Sequence, residues 1–392
     1  MSAALQASLY VHAPFCRAKC RYCAFFSEPL GPDSLARYLP ALLEEIRHFG
    51  RTLGRVAAPT LFFGGGTPSL LGADALSRTL AALRENFDLA GDAEISLEAN
   101  PDSATPEFLA VARQLGVNRL SLGVQSLDDG ALRALGRVHD AAQAEAAYRA
   151  ARVAGFDNVG LDLIFGLPGQ GVDQWLATLR QAVELGPEHL SCYGLTVEPG
   201  TPLASDAAAL ASLPGEDAQA EMFLRGSELL EAEGYRHYEI SNFARPGRRC
   251  RHNLACWQGL DCLGLGPAAV STLTLAGGKV RWANPQDINA WAASVRAGTV
   301  GQLGREELNA DIQAREGLML ALRTADGLDL DAYRQRFGPD LAASRAGLLR
   351  DLERAGLATQ AHGRLRLTRA GMLVSNSVIR SLGFEGDGDK IS

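Results

Sequence analysis

Six short β-rich runs alternate with helical segments over residues 8–194, and this rhythm restricts the fold more than any other feature of the chain. The runs are 8–12, 60–63, 93–98, 118–123, 158–164 and 189–194. Helical stretches lie between them at 34–49, 73–86, 106–115, 140–154 and 172–185. Strands joined by helical crossovers lie parallel, so the pattern predicts an α/β fold with a parallel sheet clad in helices. Six units are fewer than the eight of a complete barrel, which predicts an open, partial (β/α)6 barrel. A doubly wound sheet shares the same periodicity.

From 187 to 214 the alternation breaks into Pro- and Gly-rich turns, and a helix at about 216–233 closes the first unit. The texture then changes. We expect two domains, 1–234 and 235–392, because 392 residues exceed what one core usually serves. The second reads as a smaller α+β domain: a turn-rich, aromatic stretch to about 285, then helices near 287–296, 312–323, 330–337 and 341–355. A Gly-containing hairpin at 357–367 and a last helix follow, the order of a winged-helix-like unit. Arg345, Arg350, Arg354, Arg364, Arg366 and Arg369 cluster there, but 45 acidic against 38 basic residues give a net charge of −7. That balance supplies no field for a nucleic acid, and none is expected as a partner. No run approaches 18 apolar residues and no charged leader precedes an apolar core, which predicts a cytoplasmic protein.

Seven cysteines in a cytoplasmic chain argue against a disulfide framework. Three of them, Cys16-x3-Cys20-x2-Cys23, sit on a loop directly after the first strand. Thiolates are soft ligands that suit iron–sulfur clusters and zinc. A Cys3His zinc knuckle completed by His12 is one reading. The other is a 4Fe–4S cluster on three cysteines, which leaves one iron open to a further ligand.

Gly64-Gly65-Gly66-Thr67-Pro68 closes the second strand, where glycines let the backbone approach a ligand. Glu98, Gln125 and Asp162 stand at the ends of the third, fourth and fifth runs, and ligand sites of such barrels form at strand ends. A carboxylate in an apolar strand is costly to bury unless a partner or ligand meets it. A structural ion pair with Arg137 is the alternative.

With Tyr22 before the last cysteine, the cysteine loop resembles that of radical S-adenosylmethionine proteins. The resemblance implies that the open iron chelates the methionine amino and carboxylate groups, and that reductive cleavage yields a 5′-deoxyadenosyl radical. A narrower likeness covers at least the first 200 residues. Tyr10–Cys16, Gly64–Pro68, Glu98–Pro101, Gly123–Ser126, Gly136–His139 and Asp162–Pro168 resemble the motifs of the oxygen-independent coproporphyrinogen III dehydrogenase family. By that resemblance Cys16, Cys20 and Cys23 ligate the cluster. Tyr10, Tyr22, Gly65, Gly66, Thr67, Glu98, Gln125, Arg137 and Asp162 contact S-adenosylmethionine, the acidic members meeting ribose hydroxyls and the amino group.

Two functions share this scaffold. One is radical oxidative decarboxylation of coproporphyrinogen in haem biosynthesis. The other is that of the HemW-type haem chaperones, which bind haem and carry it to acceptor proteins. Dehydrogenases of the group carry a further cysteine two residues after the third, where this chain has Phe25; they also have a long extension before the first strand, where nine residues precede Tyr10 here. Tyr238–Ala244 and His252-Asn253-Leu254-Ala255-Cys256-Trp257 resemble the HemW tail, whose His-Asn-x-x-Tyr-Trp motif is associated with haem. The expectation is therefore a haem chaperone that uses a 4Fe–4S cluster and S-adenosylmethionine, with His252 as the haem ligand. Its partners would be haem and a haem-acceptor protein, with room for peripheral membrane association through the acceptor and for a homodimer. Cys256 departs from the motif's tyrosine. Cys192, Cys250, Cys256 and Cys262 are otherwise read as packing residues and His252 as a turn cap, and the even spacing of the last three cysteines has no account from sequence.

Overall fold

A computed structural model of the chain describes residues 5–302 and 304–383. The six expected runs are the parallel strands β1 (Ser8–Ala13), β2 (Ala57–Gly65), β3 (Asp88–Ala99), β4 (Arg119–Gln125), β5 (Val159–Phe165) and β6 (His189–Gly194). They lie side by side in chain order, each after β1 reached through a helical crossover. Leu9, Leu61, Leu97, Leu120, Leu161 and Leu190 are fully buried, one from each strand. Each such leucine contributes about 1.5–3 kcal/mol by leaving water. Strands covered on both faces read as apolar runs, which is why β1 and β5 were visible in the sequence.

The sheet is larger than six strands. β7 (Arg236–His237) and β8 (Asn242–Ala244) run antiparallel beyond β6. Beyond β1 lies β9 (Cys262–Leu265), parallel to it, and then β10 (Val270–Leu275), β11 (Gly278–Ala283) and β12 (Glu306–Glu307) in antiparallel order. The twelve strands form an open row with β12 and β7 at its edges, so the barrel is partial. Residue 234, the expected domain boundary, therefore falls inside the sheet. The first hydrophobic core extends to Val300, and a second gathers residues from Ala314 to Leu382.

The second core belongs to a small α+β unit. Helices Ala310–Leu322, Leu330–Phe337 and Ala346–Arg354 precede a hairpin of Ala358–Ala361 and Arg364–Leu367, with Leu328–Asp329 as third strand. The hairpin turn places His362 and Gly363 at φ of 53° and 74°, as a tight two-residue turn requires. Arginines of this unit face acids: Arg364 meets Asp329 at 3.3 Å, and Arg369 meets Glu228 at 3.2 Å and also Glu231, both on the helix Glu216–Ala232. Among the described residues no helix is long and apolar enough to cross a membrane.

Candidate cofactor and ligand site

Cys16, Cys20 and Cys23 lie on the loop that leaves β1, at the C-terminal ends of the parallel strands. Several bonds brace this loop. Phe15–Cys16 pairs with Glu28–Pro29, and the Arg21 backbone N–H donates to the Leu135 carbonyl at 3.1 Å. The Arg21 guanidinium reaches Asp206 at 2.5 Å. His12 is buried with both ring nitrogens engaged, Nδ1 with the Tyr10 hydroxyl at 3.1 Å and Nε2 with the Phe26 carbonyl at 3.0 Å. It braces the loop from beneath and is not free to act as a fourth metal ligand. Burial pushes its pKa down, which favours the neutral ring.

Two of the thiols receive hydrogen bonds. Thr67 Oγ1 donates to Cys16 at 3.6 Å, and Arg137 Nη1 donates to Cys20 at 3.3 Å. Donors and a guanidinium aimed at sulfur are what thiolates need, so this set suits a cluster on three cysteines. Burial pushes the Cys23 thiol up, a cost that metal binding would offset. Arg137 also donates to Asn100 Oδ1 at 2.8 Å and to the Gly123 carbonyl at 2.7 Å. Asn100 Nδ2 in turn donates to Thr67 Oγ1 at 3.1 Å. One chain of bonds thus ties the ends of β2, β3 and β4 to two cysteines. Asn100 is the member that sequence reasoning did not select, although it stands in the quoted Glu98–Pro101 motif.

The glycine turn is shaped by close approach. A Cβ on Gly66 would sit 2.7 Å from the Phe15 carbonyl oxygen and 3.0 Å from that of Ala13. Gly65 has φ of 110° and lies against the His12 ring. Gly66→Ala is therefore expected to push the cysteine loop off β2 and to cost about 1–3 kcal/mol, measured as a lower urea midpoint at unchanged slope. An unchanged midpoint would show that the loop yields freely.

Glu98 accepts a hydrogen bond from the Gly65 backbone N–H at 3.3 Å. Burial and the neighbouring Asp162 push its carboxyl up to about 8, against the pull of that N–H. Asp162 is raised by burial and eased by hydrogen bonds from Ser191 and Ser121, the latter 3.1 Å from each carboxylate oxygen. Among the described residues no ion pair joins Arg137 to either acid; Arg137 is committed to Cys20, Asn100 and Gly123. Gln125 follows a register shift in β4 and takes φ of 67°. A non-glycine residue pays of order 1 kcal/mol for that conformation, which recurs at ligand sites. Tyr22 packs on Leu135, Ile164 and Leu167 beside Arg137, and burial raises its phenol.

Between the strand ends and the residues after 250 lies a cavity of about 870 Å³. Tyr10, Phe62, Glu98 and Tyr193 line it from the strands, Phe25 and Phe26 from the cysteine loop, and His252, Cys256 and Cys262 from the far side. Phe25, Tyr193, Leu260 and Val270 are exposed around it, an apolar rim of the kind that marks binding surfaces. His252 sits in the helix Arg251–Trp257, whose first turn is held by Glu94 through the Arg251 and His252 N–H groups at 3.1 and 3.0 Å. Its ring stacks on Phe62 with centroids 5.0 Å apart, and Nδ1 lies 2.9 Å from Thr60 Oγ1.

The four remaining cysteines divide. Cys192 is buried in the main core, and Cys250 is buried with its thiol donating to Glu94 at 3.5 Å. Cys256 and Cys262 instead meet at the cavity wall. The interaction with Cys262, and next that with His252, holds Cys256 below the ordinary thiol range, and the same pairing raises Cys262 above it.

A partial parallel barrel with three cysteines on its first loop and a bonded network across the strand ends defines a radical S-adenosylmethionine protein. Residues 10–182 match the Radical SAM superfamily, and residues 308–374 match the HemN C-terminal domain. The heme chaperone HemW of Mycobacterium tuberculosis (strain ATCC 25618 / H37Rv) is 39% identical over 379 residues, spanning 95% of this chain and 94% of that relative. HemW of Bacillus subtilis (strain 168) is 32% identical over 373 residues, 95% and 97% of the two chains. The chain belongs to the HemW family. The solved structure of coproporphyrinogen III oxidase (HemN) from Escherichia coli, a radical SAM enzyme, matches with a TM-score of 0.84 at 28% identity, over 97% of this chain and 90% of that one.

Proposed function

We propose that this protein binds haem in the cavity at the barrel mouth and hands it to an acceptor protein. A 4Fe–4S cluster on Cys16, Cys20 and Cys23 and S-adenosylmethionine would occupy the strand ends. The observation that carries the reading is kinship with heme chaperones along nearly the whole chain. Phe25 supports it: the side chain is 71% exposed on the cavity rim, where dehydrogenases of the group resembled have a cysteine. A volume of about 870 Å³ whose walls combine Phe25, Phe26, Leu260 and Val270 with Lys279 and Arg281 suits a flat ligand that carries both apolar faces and carboxylates.

In this reading Thr67 and Arg137 hold two of the cluster thiolates in place. Tyr10, Tyr22, Gly65, Gly66 and Gln125 shape the pocket for S-adenosylmethionine, and Glu98 and Asp162 meet its amino group and ribose hydroxyls. Ligand binding would offset the cost of burying these acids. When bound, a cluster with one open iron supplies a coordination position for the amino and carboxylate groups of S-adenosylmethionine.

Titration of the purified protein with haem should give a saturable Soret band, and mixing with an acceptor apoprotein should move that band to the acceptor. The second reading, coproporphyrinogen dehydrogenase, is favoured by the match to HemN. Anaerobic incubation of reconstituted protein with coproporphyrinogen, reductant and S-adenosylmethionine separates the two. No protoporphyrinogen is expected, and its accumulation would reverse the order of the readings.

A further inference from the structure

A second cavity, of about 480 Å³, lies between the first sheet and the small C-terminal unit. It shares Gly259, Lys279, Glu316 and Leu320 with the larger cavity, but none of the residues at the ends of β1 to β6. We propose that it binds a small organic anion with a flat aromatic body, a carboxylate or a phosphate ester, held by Lys279, Arg336 and Arg366. The charges on its walls do not cancel. Its acids are already committed: Glu316 accepts both guanidinium arms of Arg281 at 2.7 Å, Asp329 meets Arg364 at 3.3 Å, and Asp326 meets Arg249 at 3.5 Å. Among the described residues Arg336 and Arg366 have neither an acid nor a hydrogen-bond acceptor. Lys279 Nζ donates to the Gly259 carbonyl at 2.5 Å and lies 3.7 Å from Asp261. Burial lowers the Lys279 pKa; Asp261 opposes that fall and Arg336 deepens it, so the two cations feel each other's field. An anion between them would relieve both the repulsion and the cost of burial.

The two arginines are held in place by packing. The hairpin strand Arg364–Leu367 turns Leu365 and Leu367 into the second core, and the alternation of a strand sends Arg366 to the opposite face, which lines the cavity. The stem of Arg366 crosses Gly327, at φ of 66°, where a Cβ would come within 2.6 Å of Arg366 Cγ. Arg336 lies over the Phe337 ring, 4.9 Å from its centroid, and that ring packs beside Tyr333 with centroids 5.1 Å apart. Tyr333 is fixed in turn, its hydroxyl donating to the Ala314 carbonyl at 3.1 Å. Leu320, Tyr333 and Phe337 thus supply the apolar wall beside the charges. Small-ligand sites combine these parts: apolar and aromatic surface takes the body, and a few placed charges fix the head group. Guanidinium forks match carboxylate and phosphate oxygens alike, which is why the head group can be either.

The test titrates the full-length protein calorimetrically with naphthoate, naphthyl phosphate, neutral naphthamide and inorganic phosphate. Naphthoate and naphthyl phosphate should bind saturably, one per chain, and the tighter of the two names the head group. Naphthamide and inorganic phosphate should each bind at least about tenfold more weakly, since one lacks the charge and the other the ring. Arg336→Gln combined with Arg366→Gln should weaken both aromatic anions by at least about tenfold and leave naphthamide unchanged. Phe25→Ala, on the rim of the larger cavity, should bind naphthoate as the wild type does. A second measurement does not depend on how any variant folds: naphthoate added to the wild type should slow backbone hydrogen exchange in 330–337 and 364–367. Naphthamide binding as tightly as naphthoate would reduce the cavity to an apolar crevice and overturn the proposal. So would inorganic phosphate binding as tightly as naphthyl phosphate, protection confined to the cysteine loop and strand ends, or no saturable binding of either aromatic anion. The haem-carrier reading is tested by the Soret band and stands or falls separately.

Discussion

A Cys20→Ser variant, reconstituted anaerobically with iron and sulfide, is expected to form no brown 4Fe–4S chromophore and to retain little iron. Three thiolates are the whole protein contribution to such a cluster, so one loss leaves two iron atoms without protein ligands. Serine does not replace the sulfur, because its hydroxyl is a harder donor and does not ionise near neutral pH. Arg137 sharpens the effect: its guanidinium lies 3.3 Å from Cys20 and also holds Asn100 and Gly123. With no thiolate to face, that half-buried cation would lose its nearest compensating charge. Cys192→Ser is the control, since Cys192 lies in the core away from the loop, and it should keep the chromophore while losing some stability. Iron content and visible absorption decide the matter. Equal iron in Cys20→Ser and wild type would remove Cys20 from the ligand set, and stoichiometric zinc without colour would point to a knuckle.

The fold was legible where burial dominates local sequence. A parallel strand covered on both faces must be apolar along its length, and β6 spans the very residues, 189–194, that composition marks. Strand ends were less visible, because polar residues there serve the site and not the core: β2 runs on through Gly64 and Gly65. The later strands of the first sheet, β7 to β12, escaped because they are short or turn-flanked, whereas the 357–367 hairpin was legible from its glycine turn. β9 is only Cys-Leu-Gly-Leu, and its Gly264 packs so closely on Val270 that a Cβ would meet the carbonyl oxygen at 2.5 Å. β9 to β12 join the first sheet through the pairing of β9 with β1, across some 250 residues of chain, which no local pattern reports. Motif resemblance singled out strand-end residues one by one, whereas the bonds among them belong to the tertiary structure. Asn100 joins Thr67 to Arg137, and Cys256 and Cys262, six positions apart, meet only because the helix Arg251–Trp257 turns back onto β9.

Glu98→Gln is expected to stabilise the ligand-free protein at alkaline pH and to weaken S-adenosylmethionine binding in the same step. The carboxyl is raised to about 8, chiefly by burial and next by Asp162. An acid whose pKa is higher in the fold than in the unfolded chain binds its proton more tightly when folded. Its contribution to stability is therefore complete below the unfolded value, near 4.3, and is lost as pH climbs to about 8. Above that pH the folded chain carries a partly buried anion beside Asp162, held by the one N–H of Gly65. Glutamine keeps an acceptor for Gly65 and removes the charge. The melting temperatures of the two proteins should therefore lie closest at about pH 4 and separate steadily as pH rises towards 8, with the variant higher by roughly 2–4 °C for each kcal/mol relieved. A positively charged amino group bound against Glu98 would draw the carboxyl back towards ionisation, so wild type should gain more from added S-adenosylmethionine at pH 9 than the variant does. Melting curves at pH 4, 7 and 9, with and without S-adenosylmethionine, supply all the comparisons. A gap between variant and wild type that is the same at every pH would mean that Glu98 does not titrate in this range. An equal gain from the ligand in both proteins would remove Glu98 from its binding site. The pairing of an acid with a poor environment is thus the expected cost of a site built for a cation, in keeping with the general exchange of stability for function at binding residues.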